Sequence, residues 1–291
     1  MISQDVLMET DEPLNDQNAD SGSKNSTRRK GHILEMHKVN ARELYSVLKA
    51  IAFMEYCTMV ATTDGVKIVV DDHHHQQASV YLDFDKFADF MCNAQSLNIR
   101  FPINPLIELL NVFTSNMASL RMYYDGEGEP LVASVDDEGA IFHCAIATHF
   151  PVTLMEIDFA AKPAIVKVIM QPHVIREIVR EIDISSATVK IIVTKSIIAF
   201  YTDGDLGMIK TEIPSHSDLI ESFEAPDKRM VFSYKLTLIR RMLGFFVACN
   251  KVSLQINEDS VLNCQFLIPH SEKHTMYADS TCYAIQDDDF S

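Results

Sequence analysis

The fold is decided by residues 33–70, which read ILEMHKVNARELYSVLKAIAFMEYCTMVATTDGVKIVV. Apolar residues recur at helical spacing in Ala41–Ala52, and Asn40 in front of them is a suitable N-cap. Strands are predicted around this helix at Ile33–Val39, Tyr56–Thr63 and Val66–Val70. The pair Asp64-Gly65 is typical of a two-residue hairpin turn. The stretch therefore predicts a strand, a helix and then an antiparallel hairpin.

A similar order of elements returns in the second half of the chain. The predicted elements there are a strand, a helix and two strands, at Ala164–Met170, Pro172–Ile182, Thr188–Thr194 and Ile197–Tyr201. The tripeptide Thr63-Asp64-Gly65 also recurs as Thr202-Asp203-Gly204. We therefore predict an α+β fold of mostly antiparallel strands, built from a unit of about 120 residues that occurs twice.

This repeat suggests how the chain is divided. The predicted segments are a disordered polar tail at 1–31, an N-terminal domain at 32–147, a connector at 148–162, a C-terminal domain at 163–285 and an acidic tail at 286–291. The first tail lacks apolar periodicity, so burial cannot offset the entropy of ordering it. Its basic run Arg28-Arg29-Lys30 is either a nuclear-entry signal or part of a solvated linker.

Composition narrows the possible function classes. The 291 residues include 25 basic and 41 acidic ones, which gives a formal net charge of −16. Such a charge argues against binding DNA by attraction alone, because phosphates attract Lys and Arg. Glycine is scarce, at 9 residues, and neither G-x-G-x-x-G nor G-x-x-x-x-G-K-[ST] occurs. Dinucleotide and P-loop sites are therefore disfavoured, and no cofactor is predicted.

Cysteine spacing and hydropathy bear on the compartment. The six cysteines show no C-x-x-C pair, which predicts reduced core thiols in a cytosolic or nuclear protein. The N-terminus Met-Ile-Ser-Gln-Asp shows no secretory signal, and no apolar run approaches the ~20 residues of a membrane span.

The predicted helices place basic and amide side chains opposite their apolar stripes. Two further helices are predicted, at Pro105–Phe113 and Lys235–Leu243. The outward positions of all four are Arg42, Lys49, Asn104, Asn111, Arg176, Arg180 and Arg241. In so acidic a chain this pattern favours a surface facing a polyanion, with phosphate contacts that do not read sequence. The alternative is that exposed helix positions commonly carry Arg and Lys without such a role.

Two other patterns could carry catalysis, and both have simpler explanations. His73-His74-His75 could present metal ligands, but no Cys or carboxylate partner stands at ligand spacing, which favours a solvated loop. Paired carboxylates could hold the ions of a nuclease. These pairs are Asp83 with Asp85, Asp125 with Glu127, Glu156 with Asp158, and Asp203 with Asp205. Turn chemistry accounts for them, so no catalytic or metal-binding residue is predicted.

Three stretches carry a family resemblance. Glu43–Ile51 (ELYSVLKAI) resembles the first helix of the Rad-one subunits of the nine-one-one checkpoint clamp. Leu120–Leu131 (LRMYYDGEGEPL) and Ser217–Phe223 (SDLIESF) resemble the same family. The resemblance extends over residues 33–285, and the long tail before residue 32 departs from it.

The resemblance implies a sliding clamp with two similar domains, whose strands form an outer wall and whose helices line a central hole. It implies a heterotrimer with Rad-nine-type and Hus-one-type subunits, placed on double-stranded DNA in the nucleus by a clamp loader. Checkpoint signalling and repair would be its functions. A metal-dependent 3′→5′ DNA exonuclease, an activity attributed to some relatives, and a scaffold that binds only proteins are the alternatives.

The resemblance also assigns roles to residues. The seven outward helix positions would face the DNA, and subunits would join edge to edge through Ala140–Ala147 and Leu206–Ile213. The candidate interface residues are Ala140, Phe142, Cys144, Ile146, Leu206, Met208, Lys210 and Glu212. A ring closed around DNA is retained by topology, so a net charge of −16 is compatible with this function.

Overall fold

The computed structural model describes residues 31–285, apart from 74, 114, 155–156 and 272–273. The chain before Gly31, the acidic tail at 286–291, and the candidates His74 and Glu156 lie outside the described residues. The elements follow in this order: β1 (Leu34–Lys38), α1 (Ala41–Ile51), β2 (Tyr56–Thr62), β3 (Gly65–Asp72), β4 (Gln76–Asp83), β5 (Asp89–Cys92), β6 (Leu97–Pro102), α2 (Ile103–Leu110), β7 (Ser119–Tyr124), β8 (Leu131–Asp137), β9 (Ala140–Ile146), β10 (Ala164–Met170), α3 (Pro172–Glu181), β11 (Thr188–Thr194), β12 (Ile197–Gly204), β13 (Gly207–Pro214), β14 (Ile220–Glu224), β15 (Met230–Lys235), α4 (Leu236–Arg241), α5 (Leu243–Ala248), β16 (Lys251–Asn257), β17 (Leu262–Ser271) and β18 (His274–Cys282).

The strands form three antiparallel sheets. Five strands take the order β5-β1-β7-β8-β9, and four take the order β13-β12-β11-β15. The third sheet has nine strands in the order β14-β10-β16-β17-β18-β4-β3-β2-β6. All of the strand pairs within the described residues are antiparallel, in agreement with the predicted α+β class.

The two halves of the chain repeat one topology. The order β5-β1-β7-β8-β9 in the first half corresponds to β14-β10-β16-β17-β18 in the second, and β4-β3-β2-β6 corresponds to β13-β12-β11-β15. The repeated Thr-Asp-Gly tripeptide is not part of this correspondence. Thr63 and Asp64 form the turn between β2 and β3, whereas Asp203 and Gly204 end β12, the counterpart of β3. The predicted repeat of one structural unit is therefore right, but the Thr-Asp-Gly tripeptide is not evidence for it.

The nine-stranded sheet joins the two halves. The two halves meet where β18 pairs with β4, with Tyr277 opposite Tyr81 and Cys282 opposite Gln76. The described residues from His32 onward form one compact unit. The segment 148–162 lies between β9 and β10, so it separates repeated halves, and the two-domain division stays a prediction.

The helices form one layer across both halves. Helix α1 contacts α2 on one side and α5 on the other, and α5 also contacts α3. At the α1–α5 contact, a Cβ on Gly244 would lie 2.8 Å from the Cα of Ala50 and 2.9 Å from its Cβ. No side chain fits at that distance without displacing a helix, so glycine is what allows the halves to approach here.

The helix predictions were mostly right. Helix α1 ends one residue before the predicted end, and the Asn40 side chain accepts a hydrogen bond from the N–H of Arg42 at 3.1 Å. Helix α2 begins two residues earlier than predicted, at Ile103. Helix α5 (LGFFVA) was missed because it has no polar residue to mark a face. The short strands β5 and β14 were missed as well.

The cysteines are reduced, and most of them are core residues. The six cysteines are free, and four of them are buried. Burial raises the pKa of the Cys282 thiol to about 12, so this thiol stays protonated at neutral pH. No helix among the described residues has the length and apolar character that a membrane span requires.

Candidate nucleic-acid interface and edge strands

The exposed face of α1 holds two cations against one aromatic ring. The Arg42 guanidinium lies 4.7 Å from the centroid of the Tyr45 ring, and its Nη1 donates to Asn111 Oδ1 at 3.5 Å. Lys49 Nζ donates to the Tyr45 hydroxyl at 3.2 Å. The three side chains share one face because their spacing is three and then four residues. Their contacts with one another involve no acidic group.

The acid on α1 is engaged elsewhere. Lys38 is 3% exposed, and its Nζ lies 2.9 Å from Glu43 Oε2. Burial lowers the pKa of Lys38, while the Glu43 carboxylate opposes that shift. Glu43 therefore compensates a buried cation beneath the helix and is not paired with Arg42 or Lys49 in the contacts described.

Helix α3 presents its arginines in a different way. Glu177 Oε1 accepts a hydrogen bond from Arg176 Nε at 3.1 Å and another from Arg180 Nη1 at 3.4 Å. With the exposed Glu181, the helix carries two arginines and two glutamates. Glu177 follows Arg176 directly and lies three residues before Arg180, and these long side chains bring its carboxylate into contact with both guanidinium groups.

The remaining predicted positions differ in exposure. Asn104 and Asn111 are exposed at the two ends of α2. Arg241 is half-buried, with Nη1 2.5 Å from Asp72 Oδ2 and the guanidinium 5.0 Å from the Phe53 ring centroid. Asp72 and Phe53 belong to the first half, so Arg241 links the two halves. Its predicted role toward DNA stays untested.

Strands β9 and β13 lie at sheet edges. Each has one side unpaired within the described residues. On β9, Ile141 and Phe142 are 52% and 48% exposed, and on β13 Met208 is 68% exposed. Leu206 lies in the turn just before β13 and is 84% exposed. An unpaired edge with exposed apolar side chains is a template for pairing with another chain.

The candidate edge residues are not all available on the surface. Ala140, Lys210 and Glu212 are exposed, and Lys210 pairs with Glu212 on its own strand. Cys144 is half-buried and Ile146 is 2% exposed. Ile146 was predicted by position in the strand, but its side chain points into the core and leaves only its backbone at the edge.

A polar cavity of about 470 Å³ lies where the halves join. It is lined by β3, β4, β17 and β18 and by residues 157–160 of the connecting segment. Asn263 Oδ1 and Asp279 Oδ1 are buried there without a hydrogen-bond partner among the described atoms. Burial raises the pKa of the Asp279 carboxyl, so it holds a proton to higher pH than an exposed aspartate. Nothing in the sequence pattern pointed to this cavity.

The catalytic alternatives gain little from the geometry. The described residues contain no group of three or more His, Cys, Asp or Glu side chains that could hold a metal ion. Asp125 hydrogen-bonds His32 at 2.5 Å, and His73 lies 3.4 Å from Asp71. Asp203 and Asp205 lie near the exposed β12–β13 turn. These arrangements are pairs in turns and at strand ends.

Comparisons with known proteins agree with this architecture. The family described as "Repair protein Rad1/Rec1/Rad17" matches residues 33–268. A relative from Caenorhabditis elegans, "Cell cycle checkpoint protein RAD1 homolog mrt-2", is 32% identical over 246 residues, covering 84% of this chain and 92% of that protein. "Cell cycle checkpoint protein RAD1" from Homo sapiens is 29% identical over 250 residues, covering 84% and 88%.

A solved structure shares the fold. The proliferating cellular nuclear antigen of Entamoeba histolytica superposes with a TM-score of 0.74 at 12% identity, covering 88% of this chain and 100% of that one. The predicted clamp fold is thereby confirmed. A more distant relative, "DNA repair exonuclease REC1" from Mycosarcoma maydis, is 23% identical and covers 55% of this chain and 42% of that protein.

Proposed function

The chain belongs to the repair protein Rad1/Rec1/Rad17 family, and on that premise we propose that it is one subunit of a ring-shaped heterotrimeric clamp. The ring is loaded around DNA at damage sites and serves as a platform for checkpoint signalling and repair. The support comes from the clamp fold, from relatives named as checkpoint proteins, and above all from the unpaired edges of β9 and β13.

The observation that carries the proposal is the join between the halves. Strands β18 and β4 pair within the chain, and their counterparts in the opposite halves are β9 and β13. The same pairing is therefore available at both ends of the subunit, to a neighbour on each side. Head-to-tail contacts of this kind close into rings when the rotation between subunits closes.

The internal join also predicts the register of the external ones. The β2–β3 and β11–β12 hairpins align Gly65 with Ile197, and the β3–β4 and β12–β13 pairs then align Gln76 with Gly207. In the β8–β9 and β17–β18 pairs, matching the residue pairs farthest from the turns, Leu131 with Ile146 and Leu262 with Cys282, aligns Ile146 with Cys282. When a neighbour's strand equivalent to β13 pairs with β9, the neighbour's residue equivalent to Gly207 should thus lie opposite Ile146. This pair would correspond to Gln76 opposite Cys282 within this chain.

DNA is the proposed occupant of the ring. The helix layer carries Arg42 and Lys49 in a chain whose net charge is −16. A closed ring stays on DNA without high affinity, and a modest basic lining reduces the electrostatic cost of encircling phosphates. The acidic remainder favours solubility and limits unspecific binding.

We propose partners of the Rad-nine and Hus-one types, a dedicated clamp loader and a nuclear location. The test is co-purification of this chain with candidate subunits, followed by imaging for a closed three-membered ring. Ile141→Asp on β9 and Met208→Asp on β13 should each abolish closure. Phe84→Asp is the matched control, because Phe84 is 57% exposed and lies on neither edge. Rings that form normally with both edge variants would contradict the proposal.

We propose that the chain itself is not an enzyme. The alternative, a metal-dependent exonuclease, rests on the name of the relative REC1. It requires that the purified chain degrade DNA with Mg²⁺ or Mn²⁺ and that Asp125→Ala with Glu127→Ala abolish the activity. The third possibility, a scaffold that binds only proteins, requires that the chain is not loaded onto DNA and that reversing the charge of Arg42, Lys49, Arg176 and Arg180 leaves checkpoint output unchanged.

A further inference from the structure

The cations on the helix layer have two kinds of partner. On α1, Arg42 and Lys49 contact the uncharged Tyr45 ring and its hydroxyl. On α3, Arg176 and Arg180 share the carboxylate of Glu177. A phosphate approaching α3 must compete with an anion already bound there, whereas a phosphate approaching α1 does not.

We propose that this chain holds the phosphates of encircled DNA mainly at α1, where Tyr45 is a positioning residue for Arg42 and Lys49, and that α3 contributes little. The inference rests on the proposed clamp function and divides the predicted DNA-facing positions into unequal groups. The phosphate contacts of this subunit then lie mainly on the first half of the chain, at α1, and only weakly on the second half, at α3. We call this a one-sided contact.

The charges of the layer support this division. Glu43, the acid of α1, compensates the buried Lys38. The ionisable side chain of α2 is the exposed Glu108, and α5 has none. Helix α4 has two arginines: Arg241 is paired with Asp72, and Arg240 is half-buried, with its Nη1 buried and without a hydrogen-bond partner among the described atoms. Within the described residues, helix α1 is therefore the part of the layer that carries two cations without an acidic partner.

Tyr45 acts by ordering the two cations before DNA arrives. A long basic side chain loses rotamer entropy when it is fixed on a phosphate, and a side chain that is already ordered loses less. The aromatic ring orders Arg42 through a cation–π contact, and the hydroxyl orders Lys49 through a hydrogen bond. Because tyrosine carries no charge at neutral pH, it does so without cancelling the attraction for phosphate.

The first test compares α1 with α3 in the assembled ring on linear duplex DNA with free ends, where topology does not hold the ring and phosphate contacts determine affinity. Arg42→Gln with Lys49→Gln should lower the slope of log affinity against log salt by about 2, since each phosphate contact contributes about 0.9. Replacing Arg176, Glu177 and Arg180 together by Gln removes a net charge of only +1 and should lower the same slope by less than about 1. Equal losses in both variants would overturn the inference.

A complementary variant tests the competition on α3. Glu177→Gln leaves both arginines unpaired and should increase retention on DNA if α3 lies near the phosphates. Retention that rises above that of the unaltered ring supports the cancellation by Glu177. Retention that falls would contradict it.

The second test isolates Tyr45. Tyr45→Phe keeps the ring under Arg42 and removes the hydroxyl, whereas Tyr45→Leu removes both contacts. Because a less ordered cation loses more entropy on binding, we expect affinity for linear duplex DNA at a fixed salt concentration to decrease from wild type to Tyr45→Phe to Tyr45→Leu, with ring assembly and Tm unchanged. Ser46→Ala, at the next and exposed position, is the control. A Tyr45→Leu ring with the wild-type affinity would refute the positioning role.

The outcomes separate this inference from the proposed function. If the unaltered ring is not retained on end-blocked DNA, the clamp function itself fails. If the unaltered ring is retained and the salt slope falls equally in the α1 and α3 variants, the clamp function stands and the one-sided contact is wrong.

Discussion

At the residue scale, Asp183 fixes the start of an edge strand. Its Oδ1 accepts the N–H of Ser185 and its Oδ2 accepts the N–H of Leu206, both at 2.9 Å. These backbone hydrogen bonds lower the pKa of the Asp183 carboxyl. The loop after α3 is thereby tied to the turn before β13, so one carboxylate connects the helix layer to the proposed subunit interface.

Asp183→Asn should therefore lower Tm at pH 7. It should also make Tm fall less steeply as the pH is lowered. A carboxylate with a depressed folded pKa stabilises the fold fully above its unfolded pKa, about 4, and the stabilisation is lost as pH falls through the folded pKa. The asparagine NH₂ cannot accept the N–H of Leu206. Scanning calorimetry from pH 2 to 7 measures both effects, and Asp203→Asn, at an exposed position on β12, is the control. Parallel pH curves for wild type and Asp183→Asn would contradict the prediction.

At the element scale, the α1–α5 contact depends on Gly244. Gly244→Ala improves helix propensity by about 1 kcal/mol, but its Cβ would lie 2.9 Å from that of Ala50. Overpacking of this kind costs about 1–3 kcal/mol, so we expect net destabilisation. Denaturant unfolding of the variant measures it. Val247→Ala on the same helix, at a 69% exposed position, should stay within about 0.5 kcal/mol of wild type.

The ion pair between Arg241 and Asp72 belongs to the same scale, since it joins α4 to β3. Arg241→Gln and Asp72→Asn should each cost about 1 kcal/mol, because the pair is partly exposed, and the double variant should cost less than their sum. A double-mutant cycle in urea measures the coupling. A large loss of DNA retention with unchanged stability would instead assign Arg241 to the DNA-facing group.

Many of the helices and some of the contacts between side chains could be predicted from the sequence. Helix α1 was predicted within one residue because its apolar spacing and its Asn40 cap agree. Helix α5 was missed because a fully apolar hexapeptide has no period. The pairing of Arg241 with Asp72 could not be predicted, since 169 residues separate them. The pairing of Glu177 with Arg180 could have been, because a three-residue spacing places both on one helix face.

At the scale of the whole molecule, retention should depend on topology more than on charge. The assembled ring should stay on circular or end-blocked DNA at a salt concentration that removes it from linear DNA with free ends. Pull-down of loaded ring before and after a single restriction cut measures the difference. Loss at equal rates from cut and uncut DNA would show that electrostatic attraction alone holds the complex.

The two edges have a consequence for the life of the chain in the cell. The outer backbone groups of β9 and β13 are paired only when a neighbouring subunit adds a strand to each edge. A newly made chain without neighbours therefore exposes apolar edges at both strands. Exposed edges of this kind invite aggregation and capture by quality-control proteases. We therefore expect that the amount of this chain is set by the supply of its neighbours, and that chains made in excess are degraded as orphans.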